Sequence, residues 1–274
     1  MIAVELRKLY RRPRTWVSLA LLCGLPATVA VFLATTRVGT GQGQGPAFLS
    51  AVLANGSLFA AAALAIVLPI FLPVAVAIVG GDAVAGEASA GMLRYLLARP
   101  VGRTRLLVAK LVSMVVFVIG AVVAVAVSGY LIGVSLFPPQ PGTTTVSVVA
   151  SVSGPTLTPT QVVLRIGAAM LYVGFSMLGV GAIALFLSTL TDSSLGATLG
   201  ALAALVTSQI LVTLDAAASI RPYLPTRYWL AWIDFFREPI LWRDIERGLG
   251  IQAVYVLVFL GAAWANFATR DIKS

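Results

Sequence analysis

The chain has 274 residues, of which 59% are hydrophobic and 11% are charged, and its formal net charge is +9. A soluble domain usually has about 25% charged residues, so this composition excludes a soluble fold and predicts an all-α protein that crosses the bilayer several times. The positive-inside rule explains the basic excess, so no nucleic-acid partner is expected.

The sequence lacks the residues that most catalytic sites need. It contains no histidine and one cysteine, Cys23, which excludes a Ser-His dyad, a Cys/His metal site and a disulfide framework within the chain. A P-loop needs Gly-Lys followed by Ser or Thr, and none of the three lysines, Lys8, Lys110 and Lys273, follows a glycine. We therefore predict no enzyme activity, no catalytic residue, no metal ligand and no cofactor in this chain.

Residues 1–15 are predicted to form a helix on the membrane surface. Ile2, Leu6 and Leu9 share one helical face, and basic residues surround them. This pattern is typical of a helix that lies on an anionic leaflet. A disordered basic anchor is the alternative.

Residues 16–274 are predicted to form a transmembrane domain, because they contain six apolar stretches of about 20 residues. The predicted spans are 16–35, 57–79, 106–134, 165–187, 195–214 and 251–267. Pro26, Pro69 and Pro73 interrupt the first two spans and predict kinks.

Basic residues and tryptophans predict the orientation of the spans. Most basic residues fall on one side if both termini are cytoplasmic, which predicts that residues 81–103 lie inside. All five tryptophans fall at or near predicted membrane interfaces and are candidate interfacial anchors: Trp16, Trp229, Trp232, Trp242 and Trp264.

Two segments are predicted to face outward near the later spans. In "TPTQ", Thr158 is a candidate N-cap, Pro159 the first helical residue and Gln161 the partner in a capping box, so a helix is expected to begin there. Residues 215–247 mix five acids and five arginines with aromatic residues, which predicts short amphipathic helices at the outer interface. We expect residues 222–243 to be helical and to cap the outer end of the spans. A partial dip into the membrane is the alternative.

Two pairs of glycines have the spacing of close helix packing. Gly129 pairs with Gly133 and Gly196 pairs with Gly200, in both cases four residues apart. The contacts could lie within the chain or between two subunits, and the sequence leaves both open.

Residues 81–103 are charged and helix-prone although they lie between two apolar stretches. Glu87, Gly91 and Arg94 share one helical face, and Pro100 ends the predicted helix. A loop that only sets topology would need neither a helix nor carboxylates, so a docking surface for another protein is the favoured interpretation.

This segment resembles the corresponding loop of the membrane subunit of bacterial six-span, type-2 ATP-binding-cassette (ABC) exporters. The resemblance depends on Asp82, Gly86-Glu87, Gly91-Met92-Leu93-Arg94, Leu96-Leu97, Pro100, Arg103 and Lys110. Met92 stands where threonine is commoner. The topology, the basic N-terminal helix and the short turn after the fourth span fit the same family.

The resemblance implies a function as the permease of an exporter. Residues 81–103 would be the coupling helix, and two permeases would form the substrate path with two copies of an ATPase subunit that binds ATP and Mg²⁺. The residues implied in ATPase docking are Asp82, Glu87, Gly91, Arg94, Arg99 and Arg103. Because this segment lies outside the spans, Glu87→Ala is expected to leave the chain folded. A membrane scaffold or assembly factor that does not transport is the alternative.

The predicted orientation can be tested by labelling cysteine substitutions from outside intact cells. Thr144→Cys and Ser219→Cys should react with a membrane-impermeant reagent, because both residues are predicted to face outward. Ser89→Cys should not react, and labelling of this variant from outside would overturn the orientation.

Overall fold

The computed structural model describes residues 1–36, 56–89, 102–137, 149–150 and 156–269. Six of its helices are long and apolar enough to cross a membrane, which confirms the prediction of an all-α polytopic membrane protein. These helices are α2 (Pro13–Thr36), α4 (Phe71–Ser89), α5 (Arg103–Leu136), α6 (Pro159–Leu190), α7 (Ser194–Thr213) and α8 (Trp242–Thr269).

A separate short helix, α1 (Ile2–Arg11), precedes the first spanning helix. The chain is extended at Arg12, as is usual for a residue before proline, and α2 begins at Pro13. Two side chains of α2 fix the angle between these helices: Thr15 Oγ1 donates to the Leu9 carbonyl, and Trp16 Nε1 donates to the Tyr10 carbonyl, both at 2.8 Å. α1 is therefore tied to the start of α2.

The second predicted span differs from the observed helices. A 3₁₀ turn (Gly56–Leu58) leads into α3 (Phe59–Val67), and a turn that contains Pro69 separates α3 from α4. A proline removes a backbone donor and blocks the preceding helical turn, so the helix breaks there. After this break α4 continues to Ser89, since residues 79–89 contain no proline. Residues 81–89 thus belong to the spanning helix, whereas the sequence predicted the span to end at residue 79.

The remaining elements follow their local sequence signals. Thr158 Oγ1 accepts from the Gln161 amide and the Gln161 side chain accepts from the Thr158 amide, which confirms the predicted capping box at the start of α6. Ser193 caps α7 in the same manner, through the Gly196 amide. Before α6, β1 (Val149–Ala150) and β2 (Thr156–Leu157) form a two-residue antiparallel pair.

The helices pack around α6 and α4, which are the most buried of the spanning helices. α6 contacts α4, α5, α7 and α8, while α2 packs mainly on α5. The chain returns to one end of the bundle after its six spans. That end holds α1, the last turns of α4 and α8 and the first turns of α5 and α7, and we call it the basic end.

The two glycine pairs make different contacts. A Cβ added to Gly129 would lie 2.7 Å from the Ala63 Cβ, and a Cβ added to Gly133 would lie 2.6 Å from the Phe59 Cβ and overlap the Gly56 carbonyl. Both glycines of α5 therefore allow the backbone of α3 to approach. Gly196 on α7 has only ordinary contacts with nearby side chains, and a Cβ added to Gly200 would lie 3.3 Å from the Leu187 side chain of α6.

Residues 215–247 pack against the bundle more closely than an amphipathic surface segment would. They form three short 3₁₀ helices, Asp215–Ala217, Arg221–Tyr223 and Ala231–Phe236. Gln252 Nε2 donates to the Pro225 carbonyl at 2.6 Å and the Tyr172 hydroxyl donates to the Tyr228 carbonyl at 2.7 Å, so α8 and α6 both hold this segment. The backbone of this segment is hydrogen-bonded largely by i→i+3 turns of its own. Residues 222–243 are therefore not one helix as expected: they form 3₁₀ turns up to Phe236, and α8 begins at Trp242.

The tryptophans separate into two groups. Trp16, Trp242 and Trp264 are more than half exposed, as lipid-facing anchors must be. Trp229 and Trp232 are buried, and Trp232 packs edge-on against Phe236. The assignment of these two residues as interfacial anchors is corrected: both are core residues, since their segment folds onto α6 and α8.

The packing of α3 on α5 yields a test with a matched control in the same helix. Gly133→Ala should destabilise the protein by about 1–3 kcal/mol, because the added methyl group overlaps the Gly56 backbone. Gly120→Ala should be neutral or stabilising, since the position has open space and alanine favours helix. Denaturant unfolding of both purified variants measures the difference, and equal stabilities would contradict the close approach.

Candidate functional site

Charged side chains from three helices meet at the basic end. Glu5 and Lys8 come from α1, Glu87 from the last turn of α4, and Lys110 from the second turn of α5. We call these four residues the ionic cluster. Glu5 and Lys8 point in the same direction because residues three apart share a helix face. Two carboxylates and two ammonium groups make the cluster neutral.

The ionic cluster is held by short contacts. The Lys110 Nζ lies 2.7 Å from Glu87 Oε2 as an ion pair, and Lys8 Nζ donates to the other Glu87 oxygen at 2.8 Å and to Glu5 at 3.0 Å. Glu87 is only 3% exposed and Lys110 only 2%. A buried charge without a partner is strongly destabilising, so these pairs hold α1, α4 and α5 together.

The charge of Lys8 is stabilised at neutral pH. Partial burial alone would lower the pKa of Lys8, but hydrogen bonds and charge interactions with Glu87 and Glu5 outweigh it and raise the pKa above the ordinary lysine value. A raised pKa means that the stabilisation is complete below the unfolded-state pKa and is lost as the pH rises through the folded-state value. The contact between α1 and α4 therefore persists at physiological pH.

A second ion-pair group ties the start of α2 to α4. Both guanidinium groups that flank Pro13, from Arg12 and Arg14, contact the Asp82 carboxylate. One turn later, a Cβ added to Gly86 would lie 2.7 Å from the Asp82 Cγ. Gly86 therefore leaves the space that the carboxylate occupies, which gives a physical reason for glycine directly before Glu87.

Ser188 of α6 joins α4 between these two groups of charges. Its Oγ accepts from the amides of Val84 and Ala85, at 3.0 and 2.9 Å, and donates to the Gly81 carbonyl at 2.7 Å. Ser188 is fully buried. On the other side, an added Cβ at Gly81 would lie 2.9 Å from the Thr198 amide nitrogen of α7. The last two turns of α4 are therefore fixed to α6 and α7.

The structure places three of the six residues implied in docking. Asp82 and Glu87 face inward and bind basic partners within the chain, and Arg103 donates to the Ala268 carbonyl at the end of α8. The other three, Gly91, Arg94 and Arg99, lie outside the described residues. A direct contact of Glu87 with a partner protein stays a prediction, but its carboxylate already has two ammonium partners.

Sequence reasoning did not assign Glu5, Lys8, Lys110 or Ser188 to a site. Two of them carried a signal: Lys110 lies inside an otherwise apolar predicted span, and Glu5 is the one acid of a basic segment. An ionisable residue within a span usually has a buried partner. Ser188 carried none, because a serine near a helix end is common.

These observations define a polytopic membrane protein, a six-helix bundle in which buried ion pairs join three helices at one end. The sequence matches the family described as ABC-2 family transporter protein over residues 1–227. This match covers most of the chain, so the protein belongs to that family. Membership identifies it as a membrane permease component of an ABC transporter, a class that associates with an ABC ATPase. Comparison with curated proteins found no match.

From the sequence, the loss of Glu87 is expected to leave the chain folded, whereas the buried ion pair predicts that this loss destabilises it. Glu87→Gln should destabilise the protein by about 3–5 kcal/mol, because Lys110 keeps its charge without its closest partner. The double variant Glu87→Gln/Lys110→Met should recover part of this loss, since no buried charge remains unpaired.

The matched control is Glu246→Gln, which neutralises an exposed acid on α8. Denaturant unfolding in detergent micelles measures all three variants against the parent protein. If Glu87→Gln and Glu246→Gln unfold at the same denaturant concentration, the ionic cluster does not stabilise the basic end.

Proposed function

We propose that the chain is the membrane-spanning permease subunit of an ATP-driven exporter. Two permease copies line the substrate path, and each binds one copy of a separate ATPase subunit, which binds ATP and Mg²⁺. The protein lies in a bacterial cytoplasmic membrane with both termini and the basic end inside. The family match supports the permease component, and the resemblance of residues 81–103 to exporter loops supports the direction of transport.

The proposal rests on one observation: the last turns of α4 are held in place at the basic end of the bundle. α4 runs from Phe71 to Ser89 without a break, and Ser188 and the ionic cluster hold its last turns. A movement applied beyond Ser89 would therefore be carried as a rigid displacement to α6 and to α1. Closure of the ATPases would supply this movement and switch the bundle between inward and outward access.

The proposed roles divide the six docking candidates into two groups. Gly91, Arg94, Arg99 and Arg103 contact the ATPase in this proposal. Asp82 and Glu87 hold the segment in place through Arg12, Arg14, Lys8 and Lys110. This division follows from chemistry, because a carboxylate that already binds two cations inside the chain gains little from a third.

The second permease copy is proposed to pack along α7. The exposed face of this helix carries Leu199, Val206 and Ile210. Gly200 is also exposed on this helix, although a Cβ added there would lie 3.3 Å from the Leu187 side chain. Small residues among larger apolar ones allow close approach of a second helix within the membrane.

The test is purification of the permease from membranes of its source organism, with ATP hydrolysis as the readout. The parent protein should copurify with an ATP-hydrolysing subunit in equal amounts. Arg94→Glu and Gly91→Leu should reduce this copurification at least tenfold at equal expression, because loss of one charge of a buried interface pair costs about 2–5 kcal/mol.

The matched control is Arg243→Glu, which reverses an exposed charge at the opposite end of the bundle. It should retain the ATPase. A parent permease that purifies without any ATP-hydrolysing subunit would reject the exporter and favour a membrane scaffold.

A further inference from the structure

A cavity of about 620 Å³ opens at the basic end between α1, the start of α2 and the end of α4. Four basic side chains line it, together with two carboxylates. The basic residues are Lys8, Arg11, Arg12 and Arg14, and the acids are Asp82 and Glu87. Its chemistry is thus cationic, unlike the apolar grooves elsewhere on the bundle.

The cavity has more positive charges than its carboxylates neutralise. Glu87 is bound by Lys8 and Lys110, and Asp82 by two guanidinium groups. Among the residues that the structure describes, Arg11 has neither an ion pair nor a hydrogen bond with a side chain. The Arg14 side chain is 66% exposed although it touches Asp82. Two guanidinium groups therefore retain binding capacity for an anion.

The position of the cavity indicates which anion reaches it. Trp16 begins the exposed apolar surface one turn below Arg12 and Pro13, and it is more than half exposed. Exposed apolar residues of α1, namely Ile2, Val4 and Tyr10, lie at the same end. An exposed tryptophan next to arginines is typical of the boundary between headgroups and acyl chains. The cavity thus lies at headgroup depth.

The surface below the cavity fits acyl chains. Arg14, Val17 and Leu21 are spaced by three and four residues, so they share one face of α2. Val17 and Leu21 are both more than half exposed. A molecule whose anionic end reaches Arg14 can therefore lay its apolar part along α2 into the membrane.

We propose that this cavity binds the phosphate headgroup of an anionic membrane lipid. Arg11 and Arg14 bind the phosphate oxygens, since the planar guanidinium group matches phosphate geometry. Val17 and Leu21 contact the acyl chains. The bound lipid would join α1, α2 and α4 at the point where the ionic cluster also joins α1 to α4. This proposal does not depend on the exporter function.

Native mass spectrometry of the purified, delipidated full chain in detergent tests the proposal, with phosphatidylglycerol, phosphatidylcholine and inorganic phosphate as separate probes. The parent protein should bind one phosphatidylglycerol per chain more tightly than phosphatidylcholine. Each basic residue near an anionic surface contributes about fivefold to the affinity. Arg11→Gln should therefore weaken phosphatidylglycerol binding about fivefold, and Arg11→Gln/Arg14→Gln about 25-fold.

Arg7→Gln is the matched control, because Arg7 is exposed on the same helix, one turn from Arg11, and does not line the cavity. It should change binding less than twofold. The single variant Arg11→Gln breaks no described contact, so loss of folding does not confuse the result. Unfolding measured in parallel should be unchanged.

Three results would overturn the proposal. Equal losses for Arg7→Gln and Arg11→Gln would mean that the cavity is not the site. Equal binding of the two lipids, or complete displacement of lipid by millimolar inorganic phosphate, would exclude an anionic lipid as the ligand. Loss of a copurified protein in Arg11→Gln, with lipid binding unchanged, would assign the cavity to an acidic surface of that partner.

Discussion

Glu87 and Lys110 form an ion pair where α1, α4 and α5 meet, and both side chains are almost fully removed from solvent. Each charge would be very unfavourable alone in this environment, so neither helix can shift without moving the other. Lys8 adds the third helix by binding the same carboxylate. The arrangement of the basic end thus depends on one glutamate that is shared by two lysines.

This ion pair and further contacts prevent the end of α4 from moving independently of its neighbours. Ser188 and Thr198 contact α4 beside Gly81, one and a half turns before Glu87. With contacts on several sides, the last turns of α4 move only together with α6, α7 and α1. A surface at the end of such a helix is suited to receive force from a partner, whereas a frayed end would absorb it.

The opposite end of the bundle is held by different chemistry. Arg165 of α6 binds Glu238 and the Arg237 carbonyl, and Gln252 of α8 binds the Pro225 carbonyl. Trp232 is fully buried in the same segment. This end is thus closed by an ion pair and hydrogen bonds from spanning helices to an irregular segment, while the basic end is closed by ion pairs between helices. Gly129 and Gly133 of α5 allow α3 to pack closely against α5.

The sequence alone determined the class of protein, the number of spans and several helix starts, but not the bounds of the second span. Apolar length and charge distribution are properties of contiguous residues, and the Thr158 capping box is made by neighbours three residues apart, so both are readable without a structure. The charge motif around Glu87 also indicated the family. Only the tertiary structure decided which residues that glutamate binds, because Lys8 and Lys110 are far from it in sequence.

The tertiary structure also decided which tryptophan side chains are buried. Trp16 and Trp232 were both predicted to be interfacial anchors, yet one is exposed and the other fully buried. The difference arises because residues 221–236 fold back onto α6 and α8, a contact between distant parts of the chain. Likewise the break at Pro69 was visible locally, but only the structure showed that Ser188 and Thr198 pack against α4 beside Gly81. Local pattern therefore determines elements and topology, and long-range packing determines which polar groups become partners.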